Sequence, residues 1–285
     1  MRTCFISLIV CLSFLRADPG ISIIGERNIA NIFDHDFTPQ LIAVSSTDKI
    51  YLLDKQSRQL AVLNAANEIE YTGGFGSGRD SFFDPVDLAV NKLEVIVCDR
   101  SEQRWLRYDL QLNYFSETAI KAIDTPEIYP EILVADPWGA VLIYSRSTDL
   151  VMRSPNSFSS PQPFIDLNNQ INPLLCVQDM AVSADGESAL LFDCAQQMRI
   201  FNRFGRYSRT YPVAVDDPVF IVSIEQKWLI MNNAGGTQFF NQSSNYPPGQ
   251  LEFNESGKLL HVCANKDLLF LLFHDKILIA RVELD

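Results

Sequence analysis

The chain has 285 residues, of which 47% are hydrophobic and 20% are charged, a composition that can bury a large core and that excludes intrinsic disorder. With 35 Asp and Glu against 23 Lys and Arg, the formal net charge is −12. This acidity argues against broad binding to nucleic acids or to anionic membranes, because both attract positively charged protein surfaces.

The first seventeen residues have the pattern of a signal peptide, with Arg2 ahead of an apolar run too short to span a bilayer. We expect cleavage after Ala17, so that 1–17 is removed and 18–285 forms a single exported domain. Cleavage before Cys11, as in a lipoprotein, is disfavoured by the bulky residue that precedes it. No later segment is long and apolar enough to be a transmembrane segment, so we predict a periplasmic or secreted protein.

Beyond this segment, alternating apolar and polar residues predict β-strands, and the strands recur as a repeated unit. The stretch 85–114 aligns with 177–207, since each contains Asp-(Leu/Met)-Ala-Val, a polar turn and two further apolar strands. Weaker copies bring the total to six units, which start near residues 41, 86, 131, 178, 218 and 259. Six units at intervals of roughly 40 to 48 residues predict an all-β fold, a six-bladed β-propeller.

A propeller must close into a ring, because an open ring leaves an unpaired sheet edge. The sixth unit ends after three strands, and the apolar segment 21–34 precedes the first unit. We therefore expect an N-terminal strand to join the last blade and close the ring. Seven blades, or a pair of packed sheets, are the alternatives.

The glycine-rich stretch 73–90, GGFGSGRDSFFDPVDLAV, presents a choice between a phosphate-binding loop and a joint between blades. A dinucleotide-binding fingerprint needs GxGxxG before a helix, and a Walker loop needs Gly-Lys-Ser/Thr. Here the glycines are spaced GxGxG and a strand follows, which argues against a nucleotide site. We predict that this stretch crosses from the first blade to the second, with glycines permitting the tight bends.

When the six units are aligned, the second unit resembles the NHL repeats that build six-bladed propellers. The matching features are the glycine-rich linker, Phe82-Phe83, Pro85, Asp87-Leu88-Ala89-Val90, Asp99 and Arg104-Trp105. The match is good in the second unit, fair in the fourth and degenerate elsewhere. The resemblance implies the fold and the binding of partners through one face of the disc, but it does not imply one activity.

Two kinds of metal-dependent enzyme use a similar architecture. A three-histidine metal site would need His35, His261 and His274 to converge, but only His261 lies on a predicted innermost strand. Lactonase-type propellers resemble this arrangement and hold calcium at the channel mouth with carboxylates and amides. The corresponding residues here follow the second strands of three units: Asp99, Asp193, Asn232 and Asn233. Because turns favour Asp and Asn without any metal, we predict no metal site and no cofactor, with calcium only under the enzyme alternative.

Basic residues gather in the turns between the second and third strands, which lie on one face of a propeller. They are Lys55, Arg58, Arg100, Arg104 and Arg146, and Arg79 lies on the linker between the first two units. Arginine suits bidentate recognition of carboxylate or phosphate. Solvated turns with local acidic neighbours account for this pattern, and the alternative is that these residues form a rim that binds an anionic partner.

Four cysteines follow the predicted signal peptide. If residues 184–187 turn a hairpin, Cys176 and Cys194 come nearly opposite each other and can form a disulfide, which an oxidising compartment permits. Cys98 and Cys263 fall in different blades and are predicted to be small core residues.

These features predict an exported, non-catalytic β-propeller that binds a protein or another envelope component, as a monomer or as part of a complex. The alternative is a metal-dependent hydrolase or lactonase acting on a small ester or lactone. The channel distinguishes the two, because an enzyme needs several Asp, Glu, Asn or His side chains converging there, whereas a scaffold needs none.

Overall fold

The computed structural model describes residues 19–30, 32–33, 37–64, 68–76, 78–120, 127–136, 138–170, 172–242, 245–253 and 257–283. Within these ranges the chain forms six four-stranded antiparallel sheets and one short 3-10 turn, Asp193–Ala195. The predicted signal peptide, 1–17, lies outside the described residues. No helix in the described ranges is long and apolar enough to cross a membrane.

The sheets follow one another along the chain as blades. The strands of blades 1 and 2 are β2 (Leu41–Val44), β3 (Ile50–Asp54), β4 (Gln59–Leu63) and β5 (Ile69–Gly73), then β6 (Pro85–Val90), β7 (Glu94–Asp99), β8 (Arg104–Asp109) and β9 (Tyr114–Ala119). Those of blades 3 and 4 are β10 (Ile132–Ala135), β11 (Val141–Ser145), β12 (Leu150–Ser154) and β13 (Gln162–Asp166), then β14 (Val177–Val182), β15 (Ser188–Phe192), β16 (Gln197–Phe201) and β17 (Tyr207–Pro212).

Blades 5 and 6 complete the set. Their strands are β18 (Phe220–Ile224), β19 (Lys227–Met231), β20 (Gly236–Phe240) and β21 (Gly249–Gln250), then β22 (His261–Asn265), β23 (Leu268–Leu272), β24 (Lys276–Glu283) and β1 (Gly20–Asn28). In the sixth sheet β1 pairs antiparallel with β24, from Gly20 opposite Glu283 to Asn28 opposite Lys276.

The first strand of each blade lines a central channel. Strands β2, β6, β10, β14, β18 and β22 contact one another in that order, and β22 returns to β2. The protein is therefore a six-bladed β-propeller, as its repeats predict. Seven blades and a pair of packed sheets are both excluded by this ring.

The cores lie in the seams between neighbouring blades. A middle strand is covered on both faces, so β7 (EVIVCD) and β15 (SALLF) are buried along their whole length. An outer strand has one face in solvent, and β9 (YFSETA) accordingly mixes buried with exposed residues. Burial of the apolar side chains in these seams, at about 25 cal/mol per Å² of apolar surface, is the main stabilising contribution.

The glycine-rich stretch crosses from blade 1 to blade 2. Gly73 ends β5 with a φ of 95°, and a Cβ there would lie 2.6 Å from the ring of Phe82. Phe82 is fully buried, and its amide donates a hydrogen bond of 2.9 Å to the carbonyl of Gly74. The glycine thus lets the chain pass close over a phenylalanine that fills the seam.

The innermost strands all begin on the same side of the disc, which we call the upper face. Because the strands of each blade are antiparallel, the turns between second and third strands return to this face. In blade 2 the amide of Arg100 donates to the carbonyl of Asp84, just before β6, at 2.9 Å. Arg146, in the corresponding turn of blade 3, donates to the carbonyl of Val177 at the start of β14, at 3.4 Å.

Candidate functional site

Besides the thiol of Cys263, three ionisable side chains line the channel among mainly aliphatic neighbours. They are Asp87 on β6, Asp179 on β14 and His261 on β22, so they belong to alternate blades. All three lie near the starts of their strands and therefore towards the upper face. They border a cavity of about 210 Å³ and are partly exposed, so a molecule entering from the upper face would reach them.

Asp87 is held by the backbones of two blades. Its Oδ1 accepts a hydrogen bond from the amide of Leu88 at 2.8 Å, and its Oδ2 accepts one from Leu133 of blade 3 at 2.6 Å. A bulge in the pairing of β6 with β7 between Pro85 and Asp87 accompanies this orientation. Burial raises the pKa of Asp87 from 3.8 to about 6, outweighing the two amide donors and the positive charge of Lys55.

Asp179 repeats this arrangement in blade 4. Its Oδ1 accepts a hydrogen bond from the amide of Met180 at 2.8 Å, and its Oδ2 accepts one from Ile221 of blade 5 at 2.8 Å. Burial, with a smaller contribution from the negative charge of Asp87, raises the pKa of Asp179 from 3.8 to about 7, against the effect of the two amide donors. The two carboxyl groups therefore interact through their charges across the channel.

His261 occupies the channel wall of blade 6. Its Nδ1 accepts a hydrogen bond from the amide of Ile42 in blade 1 at 3.4 Å, and its ring lies edge-to-face with Phe220, with 6.1 Å between ring centroids. Burial, with a smaller contribution from the positive charge of Lys55, lowers the pKa of His261 from 6.5 to about 4. At neutral pH the imidazole is uncharged, with Nδ1 as acceptor and the proton on Nε2.

Among the basic residues predicted from the sequence, Lys55 has the clearest electrostatic link to these channel groups. It lies in the turn after β3, and its charge influences both Asp87 and His261. Partial desolvation by the surrounding protein lowers the pKa of Lys55, and the positive charge of Arg100 also lowers it. The carboxylates of Asp87 and Asp84 act in the opposite direction. The Lys55 side chain is nevertheless exposed to solvent. Lys55 thus brings positive charge to the upper mouth of the channel.

Three of the predicted arginines form ion pairs with nearby carboxylates. The pairs are Arg100–Asp84 at 2.8 Å, Arg104–Glu117, and Arg146–Glu131 at 3.2 Å. All three arginines are on or next to turns of the upper face, but their guanidinium groups are engaged locally. Their role in binding an anionic partner stays a prediction.

The remaining two predicted arginines are near the crossing between blades 1 and 2. Arg58 donates to the carbonyl of Phe83 at 2.8 Å and lies over the ring of Phe75, 4.7 Å from its centroid. Arg79 is exposed on the linker. Arg58 therefore helps to hold the linker, whereas Arg79 is accessible to solvent.

A disulfide joins Cys176 to Cys194, whose Cα atoms are 6.1 Å apart. It connects the end of the linker between blades 3 and 4 to the 3-10 turn that follows β15. Cys98 is a buried free cysteine and Cys263 a partly buried one. Burial raises the pKa of both thiols, so neither has the character of a reactive thiolate.

The four side chains named for a calcium site lie in three turns of three blades, with Asn232 and Asn233 in the same turn. Asp99 accepts hydrogen bonds from the amides of Phe83 and Asp84 at 2.9 and 3.1 Å, and Asn232 accepts from its own turn. In the described part of the chain, the one close group of three potential metal ligands is Cys176, Asp193 and Cys194, whose sulfurs form the disulfide. The prediction of no cofactor, with calcium only under the alternative of a hydrolase or lactonase, stays a prediction.

The two histidines that the structure describes do not converge. His261 lines the channel, His274 lies in an exposed turn, and His35 is outside the described residues. The described chain therefore offers one histidine to the channel, in company with two carboxyl groups.

No family model and no curated protein matches the chain. Among solved structures, it is similar to virginiamycin B lyase from Staphylococcus aureus, with a TM-score of 0.60 and 12% identity over 94% of this chain and 100% of that one. A catalytically inactive histidine-to-alanine variant of that lyase with quinupristin gives 0.60 and 11% over 93% and 99%. A streptogramin B lyase gives 0.63 and 11% over 93% and 98%. The shared feature is the fold.

The prediction of a non-catalytic binding module is wrong on this comparison, because the similar structures are enzymes. The channel agrees with the correction, since it carries three ionisable side chains instead of an entirely aliphatic or aromatic lining. Asp87 and Asp179 belong to the strand motif that marks the repeat, so the sequence pattern presents them as fold residues. The available signal was one acidic residue in the same frame of two units, on the strand that lines the channel.

Proposed function

We propose that this protein is an enzyme of the lyase type, which performs acid–base chemistry on a small molecule bound at the upper mouth of the channel. The observation that carries the proposal is the pair of carboxyl groups of Asp87 and Asp179, whose pKa values are raised to about 6 and about 7. Carboxyl groups with such pKa values can exchange protons at neutral pH, as general acids and bases must.

An elimination needs a base that removes a proton from carbon and an acid that protonates the leaving group. The two carboxyl groups lose their protons one after the other as pH rises, because burial raises the pKa of Asp179 more and the charge of ionised Asp87 disfavours its ionisation. Asp87 has the lower pKa and is assigned as the base, while Asp179 is assigned as the acid. The backbone amides that bond to both side chains keep them oriented during proton transfer.

His261 and Lys55 supply the electrostatic part of the proposed site. The neutral imidazole of His261 carries its proton on Nε2 and can donate it as a hydrogen bond to a carbonyl or to a developing negative oxygen. Lys55 attracts an anionic or electron-rich group to the mouth through its positive charge. Together these residues would stabilise negative charge on the substrate while the carboxyl pair moves the proton.

The lining favours a substrate with an apolar body. Apart from the three ionisable groups, the wall is mainly aliphatic and includes Leu88, Leu133, Met180 and Val222. The cavity of about 210 Å³ accommodates one group of a larger molecule. Since one similar structure contains quinupristin and another is a streptogramin B lyase, quinupristin and other streptogramins are the first compounds to test.

The acid–base pair can be tested without knowing the substrate. Carbon-13 NMR of the aspartate carboxyl groups, with D87N and D179N as assignment variants, should show one or more titrations between about pH 5 and pH 8. Ordinary titration of both groups near 3.8 would overturn the proposed pair. Asp185→Asn, in an exposed turn, is the matched control.

Activity is tested by incubating the protein with quinupristin and with a panel of esters and lactones, followed by mass spectrometry. An elimination product has the mass of the substrate or of its fragments without added water, whereas a hydrolysis product gains water. We expect D87N and D179N to lower turnover by about a hundredfold or more, and D185N to leave it unchanged. Products formed equally by all four proteins would place the reaction elsewhere.

We also propose that the mature protein acts in the periplasm or is secreted. The disulfide between Cys176 and Cys194 supports this location, because disulfides persist in oxidising compartments. The signal-like pattern of residues 1–17 supports it independently. Mass spectrometry of the protein recovered from its host would show an N-terminus at Asp18, and an intact N-terminus at Met1 would contradict export.

The relationship of the repeats to the NHL type is a further proposal. Its support is the linker, the Phe82-Phe83 pair and the Asp87-Leu88-Ala89-Val90 strand of blade 2. Alignment of homologous sequences is the appropriate test, because an NHL relationship requires the same pattern in several blades of each homologue.

A further inference from the structure

A second cavity, of about 410 Å³, lies away from the channel. One side of its wall comes from the linker between blades 3 and 4, where Gln170 and Asn172 line it. The other side comes from the two outer strands of blade 4, with Gln197 and Arg199 on β16 and Tyr207 on β17. Nothing in the proposed chemistry of the channel uses this cavity.

Arg199 is the unusual member of the wall. It is only 7% exposed, and its Nη2 donates a hydrogen bond of 2.9 Å to the carbonyl of Asn172. Its Nε is buried and has no hydrogen-bond partner among the described residues. No described carboxylate forms an ion pair with it, although the chain as a whole has an excess of acidic residues.

A buried arginine elsewhere in the protein shows the usual solution. Arg107 on β8 is 1% exposed, and its Nε and Nη2 bond to the carboxylate of Glu94 at 2.7 and 2.5 Å. A buried charge without such a partner is costly, because the protein interior solvates ions poorly. The same desolvation lowers the pKa of Arg199. An external anion would give Arg199 the partner that Glu94 gives Arg107.

The rest of the cavity is suited to an oxyanion. The lining side chains are amides, hydroxyls, one leucine and Arg199, without any carboxylate that would repel an anion. The hydroxyls of Tyr207 and Thr210 are 3.0 Å apart, so one of them bonds to the other. The guanidinium lies over the ring of Phe192, 5.3 Å from its centroid, which supports it from one side. A planar guanidinium held in this way offers parallel N–H donors to a carboxylate.

We propose that this cavity binds a small organic carboxylate, with Arg199 as its counterion. Leu174, also in the wall, would contact the apolar part of such a ligand. The disulfide at Cys176 holds the end of the same linker against blade 4, which keeps this side of the cavity in place. The site is separate from the channel, so the proposal of carboxylate binding can be tested independently of the proposed catalytic function.

Calorimetric titration of the mature protein with acetate, benzoate and inorganic phosphate at low ionic strength tests the proposal. We expect acetate or benzoate to bind, and R199Q to weaken that binding by about tenfold or more, as loss of a charge-assisted hydrogen bond implies. R203Q is the matched control, because Arg203 is an exposed arginine of the same blade outside the cavity. It should bind these anions as the unmodified protein does.

R199Q should remain folded, since the substitution removes an unpaired buried charge, and thermal unfolding would show a midpoint equal to or above that of the unmodified protein. R199K is a second variant, which keeps the charge but loses the planar fork, and it should also bind more weakly. Undiminished binding by R199Q or R199K, absence of binding of either carboxylate to the unmodified protein, or tighter binding of phosphate than of both carboxylates would overturn the proposal.

Discussion

The Oδ2 atom of Asp87 accepts a hydrogen bond from the backbone amide of Leu133 at 2.6 Å, which joins blade 2 to the innermost strand of blade 3. Two further hydrogen bonds join neighbouring blades in the same way: the amide of Ile221 donates to Asp179 at 2.8 Å, and the amide of Ile42 donates to His261 at 3.4 Å. Each ionisable group of the channel is therefore also a bond between neighbouring blades. Its protonation state bears on the stability of the ring as well as on chemistry.

Replacing Asp179 by Asn should flatten the fall of stability with rising pH. The folded pKa of about 7 lies above the ordinary 3.8, so the folded state retains a proton that the unfolded state loses. This residue's contribution to the free energy of unfolding therefore falls as pH rises between about 4 and 7. Allowing for partial exposure, we expect D179N to gain ~2 kcal/mol relative to the unmodified protein over that window.

Urea unfolding followed by tryptophan fluorescence at several pH values would measure this difference. D185N should run parallel to the unmodified protein, since Asp185 is in an exposed turn. A constant offset between D179N and the unmodified protein across the window would contradict the expectation.

Replacing His261 by Gln should have the opposite effect on the pH profile. The folded pKa of about 4 lies below the ordinary 6.5, so the unfolded state takes up a proton that the folded state refuses. The contribution of His261 to stability is complete above about pH 6.5 and is lost as pH falls towards 4. We expect H261Q to reduce that loss by ~2 kcal/mol, measured by the same unfolding experiment.

The control for this change is H274Q, because His274 lies in an exposed turn. Equal acid sensitivity of H261Q and the unmodified protein would show that the imidazole titrates alike in the folded and unfolded states.

The buried ion pair of blade 2 should be costly to break from one side only. Arg107 pairs with Glu94, donates to Ser116 at 2.9 Å, and packs against the rings of Phe115 and Phe158. R107M leaves the Glu94 carboxylate buried without a positively charged partner, with only the side-chain amide of Asn91 still donating to it, which should lower the free energy of unfolding by about 3–5 kcal/mol. The double variant R107M/E94M should recover most of that loss.

Chemical unfolding of the unmodified protein, R107M, E94M and the double variant R107M/E94M completes a thermodynamic cycle. R100M is the comparison, because the Arg100–Asp84 pair is partly exposed to solvent and should contribute less than about 1 kcal/mol. A double variant as unstable as R107M would mean that side-chain packing, and not the isolated charge, causes the loss.

Removing the disulfide should destabilise the fold without abolishing it. Cys176 and Cys194 are separated by 18 residues, and closing a loop of this size stabilises a protein by about 3 kcal/mol. We expect C176S/C194S to lose about that much free energy of unfolding. Adding a reductant should lower the stability of the unmodified protein and leave the double variant unchanged; equal responses would show that another cysteine is involved.

The fold follows from the sequence because every blade repeats the same alternation of apolar strands and polar turns. The number of blades is confirmed, since the units that start near Leu41 and Pro85 reappear around the ring. The crossing between blades at Gly73 can also be predicted from the sequence, because only a glycine tolerates a φ of 95° so close to Phe82. Local spacing is sufficient where each unit contacts only its neighbours.

The candidate site can be predicted only in part from the sequence, and the reason is physical. Asp87 and Asp179 share a position in the repeat, but bulges at the starts of β6 and β14 shift the pairing there, which a period of two does not reveal. His261 bonds to the next blade as they do, but its segment, His261-Val-Cys-Ala, lacks the Asp-(Leu/Met)-Ala-Val motif, so the repeat pattern does not reveal that it joins them in the channel. Arg199 resembles a solvent-facing strand residue until the linker that carries Asn172 covers it.

The hydrogen bonds that join neighbouring blades in the channel limit how this protein can evolve. A substitution that changes the chemistry at Asp87 or Asp179 also removes an acceptor from the innermost strand of the next blade. New activities therefore arise more readily from the turns of the upper face, which can vary without loosening the ring, than from the acidic residues themselves.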